Sequence, residues 1–124
     1  MNPTLTVFIP AYNEAANLEG CVEAVQAKLA ALGVEAEILI VDDGSQDGSG
    51  ALADALAARW SNLRVIHHPT NRGIGAAFVT AVSAALGEWL ILIPADLAMD
   101  LDDLARYLEA APQADIVVGL RSDR

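Results

Sequence analysis

Five short runs of branched apolar residues, separated by stretches with helical periodicity, constrain this chain more than any other feature. The runs fall at 5–9, 38–41, 63–66, 89–93 and 116–118 and are rich in Val, Ile and Leu. They are nearly continuous in their apolar character, which is the pattern of strands covered on both faces and so of a parallel sheet. Parallel neighbours need crossover connections, and the intervening segments supply them. Leu18, Cys21, Val22, Val25, Leu29 and Leu32 recur at intervals of three and four, and Gly33 follows as a C-terminal cap. Leu52, Leu56 and Trp60 mark a second helix. Ile74, Phe78, Val82 and Leu86, followed by Gly87, mark a third, and Leu101, Leu104 and Leu108 a fourth. Asp100 is suited to cap that last helix, with Asp102 and Asp103 in its first turn, where negative charge complements the helix dipole. The expectation is one α/β domain: an open, mainly parallel sheet with helices on both faces.

Charge narrows the partners. Seven basic against seventeen acidic residues leave a net charge of -10, which repels phosphate backbones and anionic surfaces, so nucleic acid is not an expected ligand. A phosphate-bearing small molecule would need a cation or backbone donors. The single cysteine, Cys21, falls among apolar helix positions, where packing is its expected role. Trp60 and Trp89 are expected to pack as well. With no secretory signal at the start, a cytoplasmic setting is expected, and the longest apolar stretch, near 89–95, falls well short of the ~18 residues of a membrane span.

In an open parallel sheet, ligands bind outside the carboxyl ends of the strands. The residues there are Pro10-Ala11-Tyr12-Asn13-Glu14 after the first strand, Asp42-Asp43-Gly44-Ser45 after the second and Pro94-Ala95-Asp96 after the fourth. A carboxylate at the end of a buried strand is partly desolvated, which is costly unless it meets a donor or a cation. Asp43 and Asp96 are the best such candidates. The same positions admit a plainer reading, in which Asp42, Asp43, Ser45, Asp47 and Ser49 turn the chain and cap the next helix. Asn71-Arg72-Gly73-Ile74-Gly75-Ala76 divides the same way. It could bring backbone and the Arg72 charge to a phosphate, or it could only enter the third helix tightly, with Gly75 and Ala76 allowing close packing on the sheet. His67 and His68, which end a strand expected near a sheet edge, are expected to face solvent.

Taken together, Ile9 to Glu14, Ile40 to Ser45 with Asp47 and Ser49, Asn71-Arg72-Gly73 and Ala95-Asp96-Leu97 resemble the family 2 glycosyltransferases in order and spacing. Within that family the likeness is to polyprenyl-phosphate sugar transferases of the dolichol-phosphate mannose synthase kind, including the segment Val117 to Arg121. The resemblance covers essentially the whole chain and implies a GT-A, Rossmann-like fold. It also implies a nucleoside diphosphate sugar lying across the strand ends, with Pro10, Ala11, Tyr12 and Glu14 lining the nucleoside pocket and Asp43 at the base. Gly44, Ser45, Arg72, Gly73 and Ala95 complete the implied donor site.

Asp96 matches the second acid of the family's Asp-x-Asp motif, which implies a catalytic role and a Mg2+ or Mn2+ ion held against the diphosphate. The first acid is replaced by Pro94, and Ala98 stands where the polyprenyl-phosphate group often has Gln. The implied reaction is an inverting transfer, with a polyprenyl phosphate, a lipid reached at the cytoplasmic face of a membrane, as leading acceptor. Family members normally continue beyond the position of Arg124, so the expectation for these residues is the nucleotide-sugar-binding part, inactive alone. Two other readings stay open: a non-catalytic nucleotide-binding or scaffolding module, and a receiver-like signalling domain using the Asp42-Asp43 pair.

Overall fold

Successive side chains of a strand point to opposite faces, and in the first two strands both sets are buried. That demand for cover on two sides shapes the molecule. The computed structural model describes residues 3–97 and 101–110. In chain order it contains β1 (Leu5–Ala11), α1 (Leu18–Leu32), β2 (Ala36–Asp42), α2 (Ser49–Arg59), β3 (Leu63–His67), α3 (Ile74–Ala84), β4 (Trp89–Leu92) and α4 (Asp103–Ala110). The strands form one parallel sheet in the order β3-β2-β1-β4. The α/β architecture anticipated above is present. The run at 116–118, the segment 117–121, Ala98 and the Asp100 cap lie outside the described residues.

The chain steps outward from β1 to β2 to β3, then returns through α3 to place β4 on the other side of β1. Right-handed crossovers of that sequence put α1 and α2 on one face and α3 on the other. On the first face Val7, Ile9, Ile38 and Ile40 meet Leu18, Val22 and Val25 of α1, Ala53 and Leu56 of α2, and Leu104 of α4. Trp60 and Trp89 pack at its margin, and Cys21 is buried within it, as their sequence positions suggest. Gly33 closes α1 in the left-handed conformation at φ 65°, its N–H returning to the Ala30 and Leu29 carbonyls.

On the second face Phe8, Leu39 and Val41 meet Ala77 and Ala81 of α3. Here the sequence misleads, because the residues whose spacing marks this helix are not the ones it buries. Ile74, Phe78 and Val82 are 59%, 43% and 55% exposed, while Ala77 and Ala81 are buried. Small side chains let the helix lie close on the bulky sheet residues, and the large ones are left on its flanks and outer side. Phe78 still reaches Phe8 edge-on, with ring centroids 6.1 Å apart. Gly75, proposed as the point of close packing, is exposed; the alanines make that approach instead.

Gly87 also has a different task from the one its position suggested. The helix ends at Ala84, and a Cβ on Gly87 would stand 2.5 Å from the Thr6 backbone nitrogen. The bare backbone can therefore approach β1, where its N–H donates to Thr6 Oγ1 at 2.9 Å. Thr6 in turn donates to Glu37, which also accepts from the Leu86 N–H and from Arg64. Burial by itself would raise the Glu37 pKa, but these donors outweigh it and hold the carboxyl below its ordinary value. This network pins the start of β4 at the amino end of the sheet, away from the edge where ligands are expected.

Candidate functional site

Parallel strands release all their following loops at one edge, and the order of this sheet reverses beside β1. At that edge lies a cleft of about 220 Å³ lined by Pro10, Ala11, Tyr12 and Glu14 after β1, Asp43 after β2, and Pro94, Ala95 and Asp96 after β4. Three loops distant in sequence thus present three carboxylates to one space. Ile74 and Ala77 of α3 complete the lining. Sequence reasoning did not assign them to the site, and only the return of α3 across the sheet brings them there.

The first two loops are stitched together by side chains that do not line the cleft. Asn13 adopts a left-handed φ of 54°, which asparagine tolerates. Its N–H donates to Ser45 Oγ at 3.0 Å, and its side-chain oxygen accepts from the Gln46 N–H at 2.9 Å. The Glu14 N–H donates to Ser49 Oγ, and the Ala15 N–H to Asp47. The turn-and-cap reading holds for Asp47, which accepts from the Ser49 N–H at the start of α2; beyond it, Ser45, Asp47 and Ser49 brace the loop after β1 and so orient Glu14. Gly44 joins this loop to the third one. Its φ is 73°, and an added Cβ would lie 2.5 Å from the Asn71 backbone nitrogen.

Asp42 and Asp43 carry the clearest departure from expectation, together with the two histidines that follow β3. Side chains alternate along the chain, so the two acids point to opposite faces, and so do the histidines opposite them. On the α3 face, His68 is buried, with Nδ1 2.8 Å from Asp43 Oδ1 and Nε2 2.8 Å from Thr80 Oγ1. The same carboxylate accepts from the Arg72 N–H on Oδ1 at 2.9 Å and from the Gly73 N–H on Oδ2 at 2.8 Å. Burial would raise the Asp43 pKa; His68 and the two backbone donors outweigh it and hold the group ionised. Arg72 and Gly73 thus reach the site through their backbone, to fix Asp43.

On the opposite face His67 stands between two carboxylates, Asp42 at Nδ1 and Asp54 of α2 at Nε2, each at 2.8 Å. Hydrogen bonds to Asp42 and then Asp54, which accept from the ring, raise its pKa. His67 is exposed, as expected; His68 is not, because the chain turns it inward against Asp43. A signal for this was present: acid and histidine doublets end adjacent parallel strands, and Asp42 pairs in register with His67. The split also counts against a receiver-like site, since Asp42 is taken up by Ser45 and His67 and Asp43 by His68, Arg72 and Gly73, on separate faces.

Asp96 is exposed at the mouth of the cleft, in a turn closed by the Leu97 N–H donating to the Pro94 carbonyl at 2.9 Å. Leu97 holds a left-handed φ of 54°, a conformation a leucine adopts only at a cost of ~1–2 kcal/mol. Behind the turn, the Cys21 thiol donates to the Pro94 carbonyl at 3.7 Å. Burial, then the charges of Asp96 and Glu14, raise its pKa to about 11, so this thiol is neutral and packs.

Among the described residues no group of three or more His, Cys, Asp or Glu side chains is arranged to hold a metal ion. The cleft does offer carboxylate oxygens, the donors Mg2+ and Mn2+ prefer, and among the described residues no basic side chain lines it. That donor set fits an ion completed by a ligand's phosphates better than a dedicated protein cage. A larger hollow of about 550 Å³ lies between α1 and α2, near Gln26, Trp60 and Asn62. It sits toward the amino ends of the strands, away from the three loops. No described helix is long and apolar enough to cross a membrane.

Comparison with known proteins gives a consistent family. The profile described as "Glycosyl transferase family 2" matches residues 6–124. A polyprenol monophosphomannose synthase of Mycolicibacterium smegmatis is 38% identical over 120 residues, covering 93% of this chain and 44% of that protein. An undecaprenyl-phosphate 4-deoxy-4-formamido-L-arabinose transferase of Aeromonas hydrophila is 37% identical over 116 residues, covering 93% of this chain and 36% of that protein. Among solved structures, a mannosyltransferase of Pyrobaculum calidifontis in complex with GDP-Man and Mn2+ superposes with a TM-score of 0.72 at 27% identity, over 88% of this chain and 32% of that one. The fold of S. aureus TarS 1-349, in complex with UDP-GlcNAc, matches at a TM-score of 0.66 and 24% identity, over 86% of this chain and 31% of that one. The chain thus spans between about a third and a half of the length of these relatives.

Proposed function

Because the chain belongs to glycosyl transferase family 2 and carries its GT-A fold, we propose that the cleft at the strand ends binds the nucleoside diphosphate of a sugar donor. The observation that carries this reading is the meeting of Glu14, Asp43 and Asp96, from three separate loops, in one cleft. At about 220 Å³ the cleft is smaller than the ~300–1,000 Å³ of typical ligand pockets, so it suits the nucleoside and leaves the diphosphate and sugar toward its mouth.

In this reading Pro10, Ala11 and Tyr12 flank the base with apolar surface, and Asp43 accepts a hydrogen bond from it. Ala95 shapes the floor. Asp96 faces the diphosphate. A diphosphate entering a space lined by three carboxylates and, among the described residues, no basic side chain meets repulsion, which a divalent cation relieves. The bound Mn2+ of the Pyrobaculum neighbour supports such an ion, and Asp96 would hold it here. When bound it neutralises charge on the leaving diphosphate; Mg2+ is the other candidate.

Relatives named for undecaprenyl-phosphate and polyprenol substrates support a polyprenyl phosphate as acceptor. Such a phosphate is already ionised at neutral pH and attacks the anomeric carbon in line, with inversion, without a strong general base. A non-catalytic nucleotide-binding module remains the second reading, favoured by Pro94 at the first acidic position of the family motif.

Calorimetric titration with UDP- and GDP-sugars, with and without Mn2+, tests the pocket and the cation together. The expected result is saturable binding that Mn2+ strengthens and that Asp43→Ala weakens by ~100-fold or more. No binding of either donor, or binding indifferent to Asp43, would overturn the assignment. Separately, binding without sugar transfer by a full-length protein carrying this domain would favour the non-catalytic module.

A further inference from the structure

An ionised carboxylate offers about four in-plane acceptor positions, two on each oxygen. Asp43 has three of them filled from within the protein: Oδ1 takes the His68 ring and the Arg72 N–H, and Oδ2 takes the Gly73 N–H. What remains is one position, on Oδ2. The carboxylate is also fixed in rotation, because two of its donors are backbone groups at the entry to α3. The third belongs to a buried ring held from behind by Thr80 Oγ1 at 2.8 Å. This hold does not depend on the charge of the ring. Nδ1 faces a carboxylate and carries hydrogen, and the Thr80 hydroxyl can serve Nε2 as donor or acceptor.

The consequence concerns which base this site accepts, and it rests on the reading of Asp43 as the base contact. Guanine presents two adjacent donors, N1–H and N2–H, which a carboxylate satisfies with both oxygens in parallel. Here Oδ1 is already occupied twice, so the second guanine donor would be buried without a partner. Uracil presents a single N3–H between two carbonyl oxygens and needs one acceptor. We propose that His68, braced by Thr80, is a positioning residue that leaves Asp43 one open acceptor and so makes this site selective for a uridine over a guanosine diphosphate donor. The fold by itself does not decide the base, since its solved neighbours carry GDP-Man in one case and UDP-GlcNAc in another.

The test is competition of UDP and GDP for the protein in the presence of Mn2+, read by calorimetry, for the parent chain and for His68→Leu, His68→Asn and Thr80→Val. UDP is expected to bind at least ~10-fold tighter than GDP to the parent, the cost of one buried unpaired donor. His68→Leu frees a position on Oδ1 and should bring the UDP-to-GDP ratio toward one. His68→Asn returns an N–H near the place of Nδ1 and should restore much of the ratio. Thr80→Val, the milder change, should lower the ratio in the same direction and serves if His68→Leu does not fold. GDP binding as tightly as UDP to the parent overturns the proposal while leaving the nucleotide site standing. An unchanged ratio in folded His68→Leu or Thr80→Val overturns the role of His68. Failure of both nucleotides to bind the parent removes the base site itself, and the proposal with it.

Discussion

The two faces of the sheet solve the same problem with different side chains. Toward α1, α2 and α4 the strands meet large aliphatic residues, and α1 buries Leu18, Val22 and Val25 among them. Toward α3 they meet alanines, while the helix carries its large residues outward. The polar edge repeats the contrast. On the first face Asp42 meets a half-open histidine between two acids; on the second, Asp43 meets a sealed one braced by a hydroxyl. One face is built to hold the domain together, and the other combines a thin core with the wall of the cleft.

The contrast can be broken most forcefully on the thick face. Leu18→Ala removes a fully buried side chain and should cost about 3 kcal/mol, read as a fall in the denaturant midpoint. A loss under about 1 kcal/mol would mean that this face is no better packed than the other. On the thin face the corresponding change is enlargement. Ala77→Leu should cost about 1–3 kcal/mol by lifting α3 from Phe8 and Leu39, and should also weaken nucleotide binding, because Ala77 lines the cleft.

The outer histidine gives a smaller effect with a defined sign. Its folded pKa is raised, so its contribution is complete below the unfolded value near 6.5 and disappears as pH rises through the folded pKa. Burial works to raise the pKa of Asp42, but its hydrogen bonds with Ser45 and His67 lower it on balance. Its contribution is therefore present above the ordinary carboxylate range and is lost as pH falls through the depressed folded value. Stability should peak between the two. His67→Gln should flatten the decline on the alkaline side by less than about 1 kcal/mol, since the ring is 41% exposed and solvent screens it. Thermal unfolding between pH 5 and 8 reads this directly. Least of all, Val82→Ser on the outer side of α3 should move stability by no more than about 0.5 kcal/mol, against several times that for a buried valine such as Val22.

The same contrast separates what the sequence revealed from what it concealed. Strands buried on both faces announce themselves by unbroken apolar runs, and α1 by a stripe that coincides with its buried side. The periodicity of α3 points the wrong way because alanine contributes little to a hydrophobic pattern yet is what a close helix-on-sheet approach requires. At the site, Asp43 was legible as a carboxylate at the end of a buried strand; Asp96, expected to be partly desolvated in the same way, is exposed in a turn beyond the half-buried β4 and reaches the cleft from there. His68 was not, because reading a histidine pair as one solvent-facing unit overlooks that neighbours in an extended chain look in opposite directions. Ile74 and Ala77 enter the cleft only through the crossover, which no local pattern encodes.

That opposition between neighbouring residues has a consequence for how such a domain can change. Asp42 with His67, and Asp43 with His68, occupy adjacent backbone positions but answer to separate surroundings, so substitutions in one pair need not disturb the other. Descendants of this chain could change how their stability responds to pH through the first pair while the second keeps the cleft-lining carboxylate in place.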